Sequence, residues 1–420
     1  MNTKIRAAGF LGALTIALAA CGGGATPSPS APAASEPAGS SPAASAPAGS
    51  QGAAAPLSGE LTFWHSYGSG GGETGALNTV LDKVRADNPD LKINVVEQPF
   101  DQIFNKWNTD VAAGGGPDLF IAPNDNLFTQ ADAGVLADLD SALAGKLDGL
   151  QQVAIDGSKV DGKFYMVPES LKAVALWYDK SQIATPPKTS EELLNGVKDG
   201  SIKLGINQGV YHQFGWTGAF GGTLMDDSGK CTADQGGFSD AFAYLKSLKD
   251  AGATFNTDGG ALDTDFKTGK INAIIDGPWT TADFRTALGD NLAVTPIPEG
   301  PGGKANPFTG TDGWYINPNS PNQDLAVQFA LLMTDPANSQ VFVDDAGHVP
   351  VNPAVTISDP ITQGFSDAAA AGLPRPQNAQ FNNWWGPFGD ALNKVIDTGA
   401  DPTQAVADAC AAMNEASGIQ

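Results

Sequence analysis

The sequence has few cysteines, histidines and basic residues, and each shortage excludes a class of function. Its 420 residues include 3 Cys and 3 His, and neither a Cys-x-x-Cys nor a His-x-x-x-His spacing occurs. Because zinc sites need such ligands close together, we expect no metal site, and no motif indicates a cofactor. Lys and Arg number 23 against 46 Asp and Glu, so the basic face that nucleic-acid binding requires is not expected.

Long apolar runs are also scarce, and the one near the N-terminus is short. It follows Lys4 and Arg6 and ends in "LAAC" (18–21). A basic start, an apolar region of about 14 residues and small residues predict a secretory signal over 1–20, which is too short to span a bilayer comfortably. The tetrapeptide resembles a bacterial lipobox, which implies lipid on Cys21 and anchoring outside the cytoplasmic membrane. An ordinary signal peptide with an incidental cysteine is the alternative.

The segment after Cys21 lacks residues that could form a core. Positions 25–56 are Ala, Pro, Ser and Gly, except for Thr26, Glu36 and Gln51. Such a composition has little to bury, so we predict a disordered tether over 21–58 and a globular body from residue 59.

Two cysteines remain in that body, Cys231 and Cys410. Outside the cytoplasm two leftover thiols can pair. The sequence does not give their separation in space, so a disulfide between them is a hypothesis.

Within the body, short β-type runs alternate with helical runs. Predicted strands lie at 60–67, 92–100, 116–125, 173–179, 203–208, 271–279 and 292–298. Strands alternating with helices are typical of an α/β fold with largely parallel, doubly wound sheets. The strands are too many for one compact sheet, so we predict two α/β lobes. From about residue 323 the pattern becomes mainly helical, including a last amphipathic segment at 387–416.

Six segments of the body carry a family resemblance. They are "GGGPDLFIAPND" (114–125), "GKFYMVPESLKAVALWYDK" (162–180), "FKTGKINAIIDGPW" (266–279), "FALLMTDPANSQVF" (329–342), "GHVPVNPAV" (347–355) and "WGPFGDALNKV" (385–395). In this order they resemble the extracytoplasmic solute-binding proteins of ABC sugar importers, and among these the maltose- and maltodextrin-binding group.

The resemblance implies a periplasmic-binding-protein-like fold of two α/β lobes joined by a three-segment hinge. The implied N-terminal lobe is 59–167 plus 314–358, and the implied C-terminal lobe is 170–310 plus 362–420. The crossovers would then lie near 168–170, 309–314 and 358–362. The ligand of such a fold is held in the cleft between the lobes.

A neutral sugar presents flat C–H faces and neighbouring hydroxyls, which aromatic rings and carboxylates respectively suit. The resemblance implies that Trp279 and Trp385 stack on sugar and that Tyr211 contacts it. Adjacent helical residues point about 100° apart, so Trp384 and Trp385 cannot both face one cleft, and we expect Trp384 to point inward. Trp314, beside a crossover, either lines the cleft or braces the hinge.

For polar contacts the resemblance implies Glu169 at the first crossover and Asp125 after the third strand. Ser66 and Tyr67 follow the first strand and are candidates for hydroxyl contacts, whereas His65 is either a structural histidine or a ligand contact. The family's Asp and Lys near the first strand are replaced by residues 67–70, and its aromatic before the Asp125 position is Ala122. Both departures leave the identity of the sugar open.

We therefore expect a monomeric, lipid-anchored binding protein that delivers a neutral sugar, a maltodextrin or related α-glucoside, to a membrane permease. No covalent chemistry is expected. One alternative is an extracellular glycoside hydrolase, with Asp276 and Glu169 as an acid and base pair. Another is a sugar receptor that signals to a partner.

Overall fold

The computed structural model describes residues 55–68 and 71–419. The predicted signal segment, Cys21 and most of the predicted tether lie outside the described residues. In chain order the strands are β1 (Gly59–His65), β2 (Leu91–Glu97), β3 (Leu119–Pro123), β4 (Lys159–Val160), β5 (Lys163–Phe164), β6 (Val167–Lys172), β7 (Ala175–Asp179), β8 (Leu204–Asn207), β9 (Thr254–Asn256), β10 (Ala273–Asp276), β11 (Leu292–Thr295), β12 (Phe308–Ile316), β13 (Val349–Pro350) and β14 (Leu373–Pro374).

The α-helices of the described residues are α1 (Gly72–Asp87), α2 (Phe100–Ala112), α3 (Leu127–Asp132), α4 (Asp140–Leu143), α5 (Gln152–Asp156), α6 (Ser190–Asp199), α7 (Val210–Gln213), α8 (Gly215–Ala219), α9 (Phe238–Ala251), α10 (Gly259–Lys267), α11 (Thr281–Leu288), α12 (Gln323–Met333), α13 (Pro336–Val341), α14 (Pro360–Ala371), α15 (Ala379–Asn382), α16 (Trp385–Asn393) and α17 (Pro402–Ala416). Short 3₁₀ turns at Asn124–Asn126 and Pro278–Thr280 follow β3 and β10. The predicted last segment is interrupted by a π-helical turn at Lys394–Thr398 and a break before α17.

The first large sheet has the strand order β13-β6-β12-β3-β1-β2, with β14 also paired to β12. Strand β1 runs parallel to β2 and β3, whereas β12 runs antiparallel to β3 and β6. Helix α1, between β1 and β2, presents apolar residues at helical spacing, among them Leu77, Val80 and Val84, and all three are buried. Parallel β-α-β units therefore build one side of this sheet, and returning segments build the other.

The second large sheet has the order β11-β7-β10-β8-β9. Strands β8, β9 and β10 are parallel, whereas β7 is antiparallel to both β10 and β11. The predicted α/β class with two strand systems is confirmed, but both sheets are mixed rather than largely parallel. The antiparallel members include β6, β7 and β12, where the chain passes from one sheet to the other and back.

Both faces of each sheet carry a core. The first sheet is flanked by clusters around Leu77 and around Trp107, and the second by clusters around Trp216 and around Trp177. The sequence supplied no prediction of β12 as a strand, although all nine of its residues are buried. The predicted lobe boundaries remain predictions.

The structure joins Cys231 and Cys410 by a disulfide that spans a sequence separation of 179 residues. Their Cα atoms lie 5.5 Å apart, within the usual range for this bond. The bond ties α17 to the segment before α9.

Candidate functional site

A cavity of about 800 Å³ opens where the carboxyl ends of β1, β3, β8 and β10 meet. Ligands of open α/β sheets bind at such strand ends. Its aromatic lining residues are Tyr67, Phe100, Tyr211, Trp279 and Trp385. Its ionisable polar lining residues are Glu73, Asp125, Lys172, His212, Asp263, Asp276, Asp312 and Arg375. Both large sheets contribute, the first through Asp312 on β12 and the second through Asp276 on β10.

An indole and a phenol form one wall of this cavity. Trp279 lies in the 3₁₀ turn after β10 and keeps 36% of its surface exposed. Its ring centroid lies 6.4 Å from that of Tyr211, at an interplanar angle of 35°. The ring folds back over Gly277, where an added Cβ would lie 2.1 Å from ring atom Cζ3. The Asp276–Gly277–Pro278 sequence therefore turns the indole into the cavity.

The two adjacent tryptophans separate as helix geometry requires. Trp384 is fully buried, with its ring stacked on Phe381 and Phe388. Trp385, the first residue of α16, is half-buried and lines the cavity. The indole centroids lie 4.7 Å apart at 68°, so Trp384 supports Trp385 from the core side.

Asp125 lines the cavity from the 3₁₀ turn after β3 and forms an ion pair with Arg375. Arg375 is buried, which lowers its pKa to about 9. Its guanidinium carbon lies 5.3 Å from the Tyr211 ring centroid, in the range of a cation–π contact. Arg375 therefore contacts both Asp125, a predicted sugar contact, and Tyr211, part of the aromatic wall.

Lys172, at the end of β6, is held between two carboxylates. Its Nζ lies 2.9 Å from Glu73 Oε1 and 2.7 Å from Asp312 Oδ2. His348 then bridges Glu73 and Glu169 at 3.0 Å each. Burial acts to raise the pKa of Glu73, but Lys172 and His348 lower it to about 2. Burial acts to lower the pKa of His348, but Glu169 and Glu73 raise it to about 10.

Asp263 and Asp276 form a carboxyl pair beside Trp279. Burial and the neighbouring Asp276 raise the pKa of Asp263 to about 8. Asp263 is therefore mainly protonated at neutral pH. His212 Nε2 lies 3.7 Å from Asp276 Oδ1. The two lining cations, Lys172 and Arg375, are each matched by a carboxylate, so the cavity has no surplus positive charge for an anionic ligand.

The structure does not bring Glu169, a predicted sugar contact, to the cavity. Its side chain is 2% exposed and faces His348, and the residue does not line the cavity. The register of β12 against β6 pairs Asp312 with Ser170 and Gly313 with Pro168, which leaves Glu169 as the extra residue of a bulge. Bulges re-aim side chains, and here the carboxylate turns away while Lys172 reaches the cavity instead.

Trp314, a candidate for lining the cleft or bracing the hinge, does not line the cavity. It is fully buried and packs edge-on against Phe63, 5.3 Å away, and Phe329, 5.7 Å away. His65 is buried as well, and its Nδ1 accepts a hydrogen bond from the Tyr67 N–H at 3.3 Å. These contacts favour a structural histidine over a ligand contact.

The structure brings Ser66, Tyr67, Asp125, Tyr211, Trp279 and Trp385 to the cavity. The sequence reasoning missed Phe100, Lys172, Asp312 and Arg375. Two signals could have pointed to them. Phe100 is the first residue of the amphipathic helix α2, at the exposed end of its apolar face, and is 52% exposed. Lys172 is a charge inside the apolar run "SLKAVAL".

Within 55–68 and 71–419, no helix combines the length and apolar composition needed to cross a membrane. In the same part of the chain, no group of three or more His, Cys, Asp or Glu is placed to hold a metal ion.

Comparisons with known proteins identify the family to which this chain belongs. The family model of the bacterial extracellular solute-binding proteins matches residues 79–371. The galactooligosaccharide-binding protein of Bacillus subtilis strain 168 is 28% identical over 358 residues, which cover 78% of this chain and 84% of that protein. The maltotriose-binding protein of Pyrococcus abyssi is 25% identical over 364 residues, which cover 81% and 78%.

Among solved structures, the maltotriose-binding protein of Thermus thermophilus bound with maltotriose superposes with a TM-score of 0.76 at 27% identity. The match covers 85% of this chain and 100% of that one. The resemblance to extracytoplasmic solute-binding proteins that the six segments predicted is confirmed. This chain belongs to the bacterial extracellular solute-binding proteins.

Proposed function

We propose that this protein is the solute-binding component of an ABC importer and carries a neutral sugar, a maltodextrin or related α-glucoside, to a membrane permease. The observation that carries the proposal is the exposed Trp279 indole, tilted against Tyr211 in a cavity that Trp385 also lines. Such rings stack on the C–H faces of pyranoses. The maltotriose-binding relatives support this choice of ligand.

The polar lining suits hydroxyl groups. Asp125, Asp312 and the Asp263–Asp276 pair offer charge-assisted acceptors, each worth about 1.5–3 kcal/mol when fully engaged. Ser66 and Tyr67 add hydroxyls at the end of β1, and the exposed Phe100 extends the apolar lining. The lobes at 59–167 plus 314–358 and 170–310 plus 362–420 close around the sugar, because the closed state binds it more tightly.

Binding without cleavage is part of the proposal. Glycosidases hold their two carboxyl groups about 5 Å or more apart. Glu169 does not line the cavity, so Asp276 and Glu169 do not face a common ligand there as an acid and a base. Maltotriose incubated with the protein should be recovered intact.

A sugar panel tests the proposed function. Maltose, maltotriose, trehalose, sucrose, cellobiose and a galactooligosaccharide are compared by thermal shift and calorimetric titration. We expect maltotriose to bind one to one with a micromolar Kd, and at 100-fold excess over Kd to add about 2.7 kcal/mol of stability. If none of the six sugars raises the melting temperature, the proposed function is wrong. The galactooligosaccharide is the second candidate, because a relative binds that class.

Membership in an extracellular family places the protein outside the cytoplasm. We propose that lipid on Cys21 retains it at the membrane and that the segment to residue 58 tethers the body. Cys21→Ser is expected to move the protein from the membrane fraction to the medium. Equal retention of the wild type and the variant would contradict lipid anchoring.

A further inference from the structure

Five residues that line the cavity carry a buried polar atom without a hydrogen-bond partner on the described part of the protein. Two of these atoms are the Tyr67 hydroxyl and Asp312 Oδ1. The others are Asp125 Oδ1 and Arg375 Nε, whose residues form an ion pair with each other, and Asp263 Oδ1. Tyr67 and Asp312 are only 9% and 1% exposed. A buried polar atom left unpaired costs about 1–3 kcal/mol. A ligand or a water molecule in the cavity that pairs with them recovers this free energy.

The Asp312 carboxylate is fixed in place. It lies within β12, between β3 and β6, and its Oδ2 is held by Lys172 Nζ at 2.7 Å. Glu73 engages the same Nζ at 2.9 Å, so the lysine is anchored from both sides. With Oδ2 engaged, Oδ1 remains as an unpaired hydrogen-bond acceptor on a residue that lines the cavity.

The Tyr67 ring is fixed as well. Its centroid lies 5.6 Å from His65, 6.1 Å from His348 and 6.4 Å from Phe342. Burial and the nearby carboxylates Glu169, Glu73 and Asp312 raise its pKa well above 10. The phenol thus stays protonated and can donate its hydrogen.

An alcohol group matches this donor and acceptor together. It donates to a carboxylate oxygen and accepts from a phenol, whereas an ammonium group cannot accept. A ligand anion would meet Asp312 and Glu73 and is disfavoured. We propose that Tyr67 and Asp312 form a hydroxyl subsite that holds one sugar ring of the ligand by its hydroxyls. This proposal rests on the proposed sugar-binding function and assigns Asp312 as a specificity residue within it.

Matched tyrosine variants test the subsite. Tyr67→Phe removes only the unpaired hydroxyl, so we expect the affinity for maltotriose to fall about tenfold while the melting temperature stays level or rises. Tyr244 is the control, because it is 8% exposed, lies away from the cavity and donates its hydroxyl to Ser190 O at 2.7 Å. Tyr244→Phe should lower the melting temperature and leave the affinity unchanged.

Asp312→Asn is the second test of the subsite. Asparagine has nearly the same shape as aspartate, and Lys172 retains its ion pair with Glu73. We expect maltotriose binding to weaken at least tenfold by calorimetric titration. Wild-type affinity in both Tyr67→Phe and Asp312→Asn would overturn the subsite alone and show that water satisfies these atoms. Failure of the wild type to bind any sugar of the panel would overturn the proposed function and the subsite together.

Discussion

Trp385→Ala is expected to weaken maltotriose binding about 30-fold, whereas Trp384→Ala is expected to remove about 3–5 kcal/mol of unfolding free energy. Trp385 lines the cavity, and losing a stacked indole removes roughly 2 kcal/mol of apolar burial and ring contact. Trp384 is fully buried among Phe214, Phe308, Phe381 and Phe388, so its removal leaves a large void. Calorimetric titration and urea unfolding measure the two effects.

The two variants serve as each other's controls, since they change the same side chain at adjacent positions. Trp384→Ala should bind maltotriose within a few-fold of the wild type under conditions where it is folded. A greater loss of affinity in Trp384→Ala than in Trp385→Ala would reverse the assignment of the pair and place the ligand elsewhere.

His348→Gln is expected to destabilise the protein by about 3–5 kcal/mol at pH 6, because it leaves the buried Glu169 carboxylate without its charged partner. His348 and Glu169 are each 2% exposed and lie 3.0 Å apart. Lys163→Gln is the control, since Lys163 pairs with Asp138 at the surface and its loss should change the stability little. Urea unfolding measures both.

The His348 effect should depend on pH in a defined direction. The pKa of His348 in the folded state is about 10, above the ordinary histidine value of 6.5, so between these pH values the folded protein binds a proton that the unfolded chain does not. The contribution of His348 to stability is therefore fully present below about pH 6.5 and is lost as the pH rises toward 10. A difference between wild type and His348→Gln that is the same at pH 6 and pH 9.5 would show that the imidazole is not charged in the folded state.

Local patterns in the sequence predicted much of the fold. The predicted runs at 60–67, 92–100 and 271–279 overlap β1, β2 and β10, because their apolar residues are clustered at strand length between turn signals. The separation of Trp384 from Trp385 followed from the angle between successive helical residues alone. The choice of Trp279 as a cavity residue followed from the family resemblance.

The remaining features depend on contacts between distant parts of the chain. The sequence could not show that Glu169 lies off the cavity lining, because the bulge at Glu169 depends on the register of β12, about 140 residues away in sequence. Lys172 reaches Glu73 across 99 positions, and Arg375 reaches Asp125 across about 250. No local pattern encodes such pairs. Trp314 shows the same limit, since the register of a central strand decides which of its large residues enter the core.

A crystal structure of the protein with maltotriose tests the central claim most directly. We expect one intact trisaccharide in the cavity, with sugar faces against Trp279 and Trp385 and hydroxyls within about 3 Å of Asp125 and Asp312. A sugar bound outside this cavity, or a cleaved product within it, would contradict the account.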